Sequence, residues 1–347
     1  MRDDSHEYFR RLLEDARTVE IRHNRGGKWE SGLFDDLGHL SAAIRNHSRE
    51  GNLYTTLNRP AGRIATNAFG VQALRDDDIA TICRIVFDFD PKRPTNTPSV
   101  DEELQSAIKA SELAVRMLTA HGWPTPALGL SGNGAHAVYR TRIENSPAWR
   151  QRAAALYAGL RGRLQSRFGE LGVEFDVTVR NPARIWRLYG STNRKGDATV
   201  ERPHRVASIT LPAGPWQIVK AATIERTVAA LTPVVEQHRQ QIERARGPVT
   251  GGGDYSTLDI VGWFAAHDAY RRPLVNGKHA VRCPWVGDHS TAPPPNGSDT
   301  VVWEAINRWP SFHCSHAHCA DRNLRDVIAL WGDGGRFCSR EWSRSNG

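Results

Sequence analysis

Residues 85–90 read Ile85-Val86-Phe87-Asp88-Phe89-Asp90, an apolar run that ends in two carboxylates one residue apart. Side chains alternate along a strand. Asp88 and Asp90 therefore share a face, with Cβ atoms about 7 Å apart, while Phe87 and Phe89 point the other way into a core. Two carboxylates on one face at the end of a buried strand can hold a divalent cation, or a pair of them. Pro91 follows at once and marks the end of the strand.

The flanking sequence predicts a mixed fold. Helical spacing covers residues 6–17, with Phe9, Leu12, Leu13 and Ala16 on one side, and residues 37–47, where Asp35 or Asp36 can cap. Alternation at 18–21 and 52–57 predicts strands, as does the apolar run at 82–90. Ser99-Val100-Asp101-Glu102 reads as a capping box opening a helix to about residue 121, closed by Gly122 and Pro124. Residues 127–130 and 135–140 form two strands around Ser131-Gly132-Asn133-Gly134, a hairpin signal. A helix at 147–171, strands at 173–177 and 184–189, and a helix at 221–244 complete this part. The fold class is α+β, mixed α/β rather than purely parallel. The glycine-rich stretch after residue 246 reads as a linker. The expected organisation is a domain at 1–245, a flexible linker at 246–254, a small domain at 255–335 and a polar tail at 336–347.

Composition limits the function classes. The polar start Met1-Arg2-Asp3-Asp4-Ser5-His6 lacks the apolar core of a signal peptide, and no run has the 18 or so apolar residues of a membrane helix, so a cytoplasmic protein with no membrane partner is expected. Five cysteines in that compartment suggest a metal rather than disulfides. Cys83 reads as a buried core residue and Cys338 as an unpaired thiol. The net charge is +8, and residues 140–205 hold 14 Lys/Arg against 6 Asp/Glu, leaving 32 of each elsewhere. All of the excess positive charge thus falls in one segment, which suits a polyphosphate or a nucleic-acid backbone.

Four constellations carry chemistry. Asp88 and Asp90 are the first, with Asp176 in Glu174-Phe175-Asp176-Val177 as a third acid. Three acids from two strands suit two Mg2+ or Mn2+ ions serving an in-line phosphoryl displacement. The second is the turn Ser131, Gly132, Asn133, Gly134 with His136 after it: glycines let backbone N–H groups approach a phosphate, and Ser131 and His136 add donors. No Walker phosphate loop is present. The third is the basic, aromatic stretch with Arg184, Trp186, Arg187, Arg194 and Lys195, suited to triphosphate capture beside a template strand. Arg184 and Arg187 fall on opposite faces of a strand, so at most one is expected to share the face of the acids. The fourth is Cys283-x5-His289 followed by His313-Cys314-Ser315-His316-Ala317-His318-Cys319, which suits one structural Zn2+. The first-choice ligands are Cys283, His289, Cys314 and Cys319, with His316 or His318 as an alternative.

The order of Asp-x-Asp, Ser-Gly-x-Gly-x-His, a strand Asp and an Arg/Lys segment resembles the archaeo-eukaryotic primase superfamily, in particular the primase-polymerases of phages, prophages and plasmids. Asp88 and Asp90 match the first motif, Ser131 through His136 the second and Asp176 the third, with 41 residues from Asp90 to Ser131 and 40 from His136 to Asp176. The run Gly190-Ser191-Thr192-Asn193-Arg194-Lys195-Gly196 and the Cys/His element at 312–319 are also similar to features of those families. The resemblance covers nearly all of the chain after about residue 52. It implies a primase-polymerase core with an RRM-like catalytic lobe and a small C-terminal zinc-binding domain. It also implies two divalent metals on Asp88, Asp90 and Asp176, and a nucleoside triphosphate (NTP or dNTP) on Ser131, His136, Arg187 and Lys195. The implied partners are a single-stranded DNA template and a separately encoded helicase, since the chain has no Walker motif. Competing readings are a repair polymerase that extends existing primers, a metal-dependent nuclease, and a non-catalytic zinc-containing protein that binds single strands or origins.

Overall fold

The computed structural model describes residues 3–246, 252–289, 297–304 and 309–340. Residues 247–251 of the expected linker and 341–347 of the expected tail lie outside the described residues. The chain forms two compact units, Met1–Glu236 and Gln237–Gly347. In chain order the first runs α1 (Ser5–Ala16), β1 (Val19–Arg25), β2 (Lys28–Phe34), α2 (Leu37–His47), β3 (Asn52–Thr56), β4 (Arg59–Pro60), β5 (Ala68–Val71) and β6 (Ile79–Pro91). It continues through α3 (Asp101–Ala120), β7 (Ala127–Leu130), β8 (Ala135–Glu144), α4 (Pro147–Glu170), β9 (Val173–Phe175), β10 (Ile185–Arg187), β11 (Thr192–Asn193), β12 (Arg205–Val206), β13 (Ser208–Thr210) and α5 (Ala221–Arg246), which crosses the boundary between units.

The strands of the first unit form two main sheets and a short β11–β12 ladder. One sheet has the order β10-β3-β1-β2-β5. The other has the order β13-β7-β8-β6-β4, with β9 beside the far end of β6. Every strand ladder among the described residues is antiparallel, and helices cover the sheets, so the mixed α/β class read from the sequence is the one adopted.

β6 explains why the apolar run is so long. It is paired along most of its length with β8, its start is covered by β4 and its end by β9. Its alternation then separates two environments. Phe87 packs on Trp123, Tyr139, Tyr157 and Phe175, and Phe89 on Phe168 and Phe175, under α3 and α4. The Tyr157 hydroxyl donates to the Val86 carbonyl at 2.6 Å. α5 closes on α4 at Gly159, where a Cβ would come within 2.6 Å of Leu231 Cβ.

The opposite face of β6 carries Arg84, Val86, Asp88 and Asp90, and α1 lies over its beginning. There Asp15 from α1 accepts from Arg84 at 2.7 Å and from Arg140 at 2.8 and 2.6 Å. Arg84 and Arg140 are register partners on β6 and β8. Burial opposes ionisation of Asp15, yet the two guanidiniums hold its carboxyl below the usual carboxylate range.

The start of α3 differs from the sequence reading by one residue. The side chain that caps back is Glu103, which accepts from the Val100 N–H at 2.9 Å. Ser99 is fully buried and is committed elsewhere, donating its hydroxyl to the Asn133 carbonyl at 2.6 Å.

The second unit contains α6 (Ile260–Ala266), β14 (Tyr270–Pro273), β15 (Lys278–Val281), β16 (Thr300–Trp303), β17 (Ser311–Cys314) and α7 (Leu324–Trp331). The strands form a meander in the order β14-β15-β16-β17. Trp263, Phe264, Val302, Phe312, Val327 and Ile328 make its core, and Phe337 and Cys338 pack against it. Gly332, with φ of 73°, ends α7 in the left-handed conformation. No helix among the described residues is long and apolar enough to cross a membrane.

Removing Asp15 leaves two guanidiniums facing one another in a buried setting. Asp15→Ala is expected to destabilise the first unit by about 3–5 kcal/mol. The denaturant midpoint of that unit reads this directly, and a loss below about 1 kcal/mol would mean that the triad does not hold α1 to the sheet.

Candidate active site and metal centre

Strand register brings the acids of the first unit into one row. Asp88 on β6 is the direct partner of His136 on β8. On the other side, β9 pairs with β6 through Phe89↔Phe175 and Asp90↔Glu174. One step further along that ladder Asp176 stands opposite Asp88, and its N–H donates to the Asp88 carbonyl at 3.3 Å. Directly paired residues project to the same face. His136, Asp88 and Asp176 therefore lie side by side across three strands, with Asp90 and Glu174 one row along. A Cβ at Gly134 would meet Phe89 O at 2.6 Å and Asp90 Oδ1 at 3.0 Å, so glycine there leaves room for the carboxylate.

The acids have different partners. Asp90 accepts from Arg93 at 2.8 and 3.2 Å, a bidentate pair whose guanidinium is almost fully enclosed and also reaches the carbonyls of Pro91 and Thr97. Burial works against the Asp90 carboxylate, but Arg93, with Lys195 and His136 behind it, brings its pKa below the ordinary value. Asp176 Oδ1 accepts from the N–H and hydroxyl of Thr178, both at 2.7 Å, while Arg184 stands 4.0 Å from its other oxygen. Burial, aided by the charge of Asp88, raises the Asp176 pKa. A partly buried carboxylate whose cationic neighbour stands 4.0 Å away, beside a second carboxylate in register, is a donor set that fits a hard divalent cation.

His136 is fixed from both sides. Nδ1 lies 2.8 Å from the Tyr189 hydroxyl and Nε2 lies 3.4 Å from Asp88 Oδ1. Burial pushes the Tyr189 phenol well above its usual pKa, so its proton is retained. In the neutral imidazole these contacts put the ring proton on Nε2, facing Asp88. Gly129 is opposite His136 on β7, and a Cβ there would come within 2.4 Å of Tyr189 Oη. The missing side chain is what lets the phenol reach the imidazole.

The turn is tightly self-bonded. Gly132 has φ of 91°, as a two-residue hairpin with glycine at its first central position requires. The Ser131 hydroxyl accepts from the N–H groups of Asn133 at 3.3 Å and Gly134 at 2.9 Å, occupying the donors that the sequence offers to a phosphate. Asn133 is buried and its carboxamide oxygen accepts from Ser99 N–H at 3.0 Å, which ties the turn to the loop before α3.

Arg187 and Lys195 are the cations next to this turn. Arg187 donates to Asn52 at 2.8 Å and to Tyr54 and Asn193 at 3.1 Å each, and stacks 4.3 Å from the centre of the Tyr54 ring. Asn193 in turn donates to the Ser131 carbonyl at 2.8 Å. All of these Arg187 partners are neutral, and burial lowers its pKa. Burial also pulls Lys195 from 10.5 to about 8, against the opposing charge of Asp90. Gly196 brings this segment against the loop after β6, since a Cβ there would lie 1.6 Å from the Asn96 carbonyl oxygen. Arg184 lies before β10, its N–H closing a turn on Asn181, so strand alternation does not govern it: it faces Asp176 while Arg187 reaches the turn.

Five of the fourteen basic residues at 140–205 meet acids from elsewhere in three dimensions. Arg140, Arg150, Arg152, Arg202 and Arg205 face Asp15, Asp77, Glu225, Glu103 and Asp101, all from outside that segment. Arg93, Tyr189, Gly129 and Tyr54 join the site without having been singled out as site residues, and Asn193 comes to it from the run 190–196. Arg93 alone had a local cue, as a basic residue in the loop directly after the acids.

In the second unit Cys283, His289, Cys314 and Cys319 present donor atoms that all lie within 4.8 Å of one another. Among the described residues they are the one group of three or more potential metal ligands drawn together in this way, and the three acids form no such group. All four are buried. Cys283 and Cys319 sulfurs are 3.7 Å apart, and His289 Nε2 is 3.6 Å from Cys314 and 3.8 Å from Cys319. Zn–S bonds of about 2.3 Å and Zn–N bonds of about 2.0 Å give tetrahedral edges of about 3.5–3.8 Å, so the donor set fits the ion. The alternatives sit outside it: His316 Nδ1 is 3.3 Å from Cys314 Sγ, and His318 Nε2 is 2.9 Å from Cys319 Sγ. Thr300 donates to Cys314 at 3.3 Å, and the His316 ring stacks 3.6 Å from that of His289. Cys83 is buried in the first unit, as its sequence setting suggests.

No protein-family model and no curated protein matches the chain. Several solved structures are similar. The AEP domain of the cyanophage S-2L primase-polymerase (PrimPol) is 17% identical, with 65% of this chain and 97% of that one covered and a TM-score of 0.37. Primase RepB′ is 15% identical, with 70% and 67% covered and a TM-score of 0.38. The polymerase domain of Mycobacterium tuberculosis Ligase D in complex with DNA is 13% identical, with 66% and 88% covered and a TM-score of 0.36.

Metal analysis of the purified chain is expected to find one zinc per molecule. Cys283→Ser and Cys314→Ser should each lose it, whereas His316→Ala and His318→Ala should each keep it. Zinc retained by Cys314→Ser would refute this ligand set, and zinc lost from His316→Ala would place that ring among the ligands.

Proposed function

We propose that this chain is a DNA-templated nucleotidyltransferase, a primase-polymerase of the archaeo-eukaryotic primase superfamily with an RRM-like catalytic lobe. It would start primers on single-stranded DNA and extend them in the replication of a phage, prophage or plasmid, alongside a separately encoded helicase. Its catalytic domain is residues 1–245 and its zinc-binding domain residues 255–335. The observation that carries this reading is the row of His136, Asp88 and Asp176 across three strands, with Asp90 beside it and Arg187 and Lys195 close to the same turn. A protein that only binds phosphate has no use for three partly buried acids, and a nuclease has no need of Arg187 and Lys195 held beside the turn.

Asp88, Asp90 and Asp176 would hold Mg2+ or Mn2+, which when bound lower the pKa of an attacking 3′-hydroxyl and neutralise charge on the α-phosphate and the departing pyrophosphate. The chain's own groups do the rest. Arg93 keeps Asp90 ionised and Thr178 fixes the rotamer of Asp176. His136 donates through Nε2, held in that tautomer by Tyr189. Arg187 and Lys195 supply positive charge to the triphosphate, and the Ser131 hydroxyl is a further donor, while the amides of Asn133 and Gly134 stay bonded to its oxygen. Arg184 adds charge near Asp176. Positioning and charge neutralisation of this kind supply most of the rate in phosphoryl transfer.

With an unprimed single-stranded template, labelled nucleotides and Mg2+ or Mn2+, the chain is expected to make short oligomers. Absence of product with either metal, alongside intact zinc and template binding, would sink the enzymatic reading. Extension of a supplied primer without de novo product would favour the extending polymerase. The double variant Asp88→Ala, Asp90→Ala should abolish synthesis and leave template affinity within a few-fold.

Lys195 also sets a pH dependence. Its folded pKa of about 8 lies below the ordinary 10.5, so the ammonium that meets the triphosphate is present below that value and is lost as pH rises through it. Asp88, Asp90, Arg93 and Arg187 are the charges that act on it. KM for the nucleotide is expected to rise several-fold between about pH 7 and about pH 9, and Lys195→Arg should flatten the profile. A profile equally steep in Lys195→Arg would assign the dependence to another group.

A further inference from the structure

Asp90 and Arg93 enclose one another unequally. The Arg93 side chain is 2% exposed and that of Asp90 is 31% exposed, so the carboxylate lies on the solvent side of the pair and covers the guanidinium. Two other contacts hold Arg93 independently of Asp90. Nε donates to the Thr97 carbonyl at 3.1 Å, and Nη1 donates to the Pro91 carbonyl at 3.0 Å. The loop around it is curled on itself, with the N–H and the hydroxyl of Thr97 both donating to the Pro94 carbonyl. The guanidinium therefore keeps its place when Asp90 turns away. What Asp90 occupies is the remaining fork, one N–H of Nη1 and one of Nη2.

Asp90 is also kept from the acids on its own face. Register puts Asp88, Asp90 and Asp176 on one side of the sheet, yet their oxygens do not draw together as a ligand group. Both oxygens of Asp90 are turned to Arg93 instead. Room to turn back is present, because the glycine at 134 leaves open the side where a Cβ would come within 3.0 Å of Asp90 Oδ1. The pair adjoins the nucleotide site. Asp90 and Arg93 are the charged groups that act most on Lys195. A Cβ at Gly196 would lie 3.4 Å from Thr97 Cα, so the Lys195 segment touches the residue that holds Arg93 Nε.

We propose that the Arg93 fork is a phosphate socket which Asp90 plugs in the free protein, and that the triphosphate of the nucleotide replaces Asp90 there as Asp90 turns to a divalent cation beside Asp88 and Asp176. This rests on the nucleotidyltransferase reading and adds a triphosphate contact to it. A guanidinium fork matches two oxygens of a phosphate as well as it matches two of a carboxylate. No charge is left unpaired by the exchange: the carboxylate gains a cation and the guanidinium gains an anion. Because neither half is complete without the other, metal and nucleotide each bind better in the other's presence.

The experiment measures Mn2+ binding to the full chain from the paramagnetic resonance signal of free Mn2+, and binding of an imido nucleoside triphosphate analogue by calorimetry. Arg93→Lys keeps the charge but grips only one carboxylate oxygen. It is expected to bind Mn2+ alone several-fold tighter than the unmodified chain, and the analogue with Mn2+ about tenfold weaker. Arg93→Gln should shift both in the same directions. Opposite signs of this kind belong to an exchange, whereas a merely structural role weakens both. Weaker binding of both ligands, or no change in either, would overturn the socket. An effect in Arg93→Gln that is absent from Arg93→Lys would also overturn it, leaving Arg93 as a local charge. No catalysis is needed, and Asp88→Ala separates the two readings. Mn2+ binding that survives in Asp88→Ala would overturn the metal assignment beneath the nucleotidyltransferase reading. Binding lost there but unchanged in both Arg93 variants overturns the socket alone.

Discussion

The first unit depends on the register between β6 and β8. Phe87 and Phe89 fill the space under α3 and α4, and Asp88 and Asp90 take the opposite face, where His136 and Gly134 are their neighbours. A slip of one residue would exchange the two sets, placing carboxylates among aromatic rings and phenylalanines on the polar face. The aromatic core thus does more than stabilise: it selects the one pairing in which the acids line up. Two glycines keep that pairing open to function, Gly134 for the Asp90 carboxylate and Gly129 for the Tyr189 phenol.

Features whose cause is local were legible in the sequence. The alternation of residues 85–90, the glycine turn at 131–134 and the cysteine spacing at 314–319 each follow from neighbours in the chain, and the structure has a strand, a hairpin and a Cys/His cluster there. Features that need distant chain segments were not. The position of Asp176 opposite Asp88 depends on β9 pairing with the end of β6. Tyr189 reaches His136 only because β7 has a glycine at the right step. The β2 and β5 strands have irregular polar patterns, and they exist because β1 offers one edge and β2 the next. The capping of α3 moved by one residue because Ser99 finds a buried partner in Asn133.

Charge illustrates the same limit. A run of arginines in sequence says nothing of the acids that folding brings to them, and in this chain many of the guanidiniums at 140–205 meet a carboxylate from elsewhere. Surface pairs of this sort contribute little to stability, but they weaken locally the field that the linear count suggests. What distinguishes Arg187 is therefore its company of amides and a phenol, not its membership of a basic segment.

The contact at Gly196 has a wider consequence. Surface loops ordinarily accept insertions and deletions at small cost, because closing a slightly longer loop costs little entropy. Here the backbone at 196 rests directly on the carbonyl of residue 96, so the loop that carries Arg93 and the loop that carries Lys195 behave as one mechanical piece. Neither can change length without displacing the other. Two segments a hundred residues apart are thereby bound to vary together, and relatives of this chain that alter one should be found to have remodelled both.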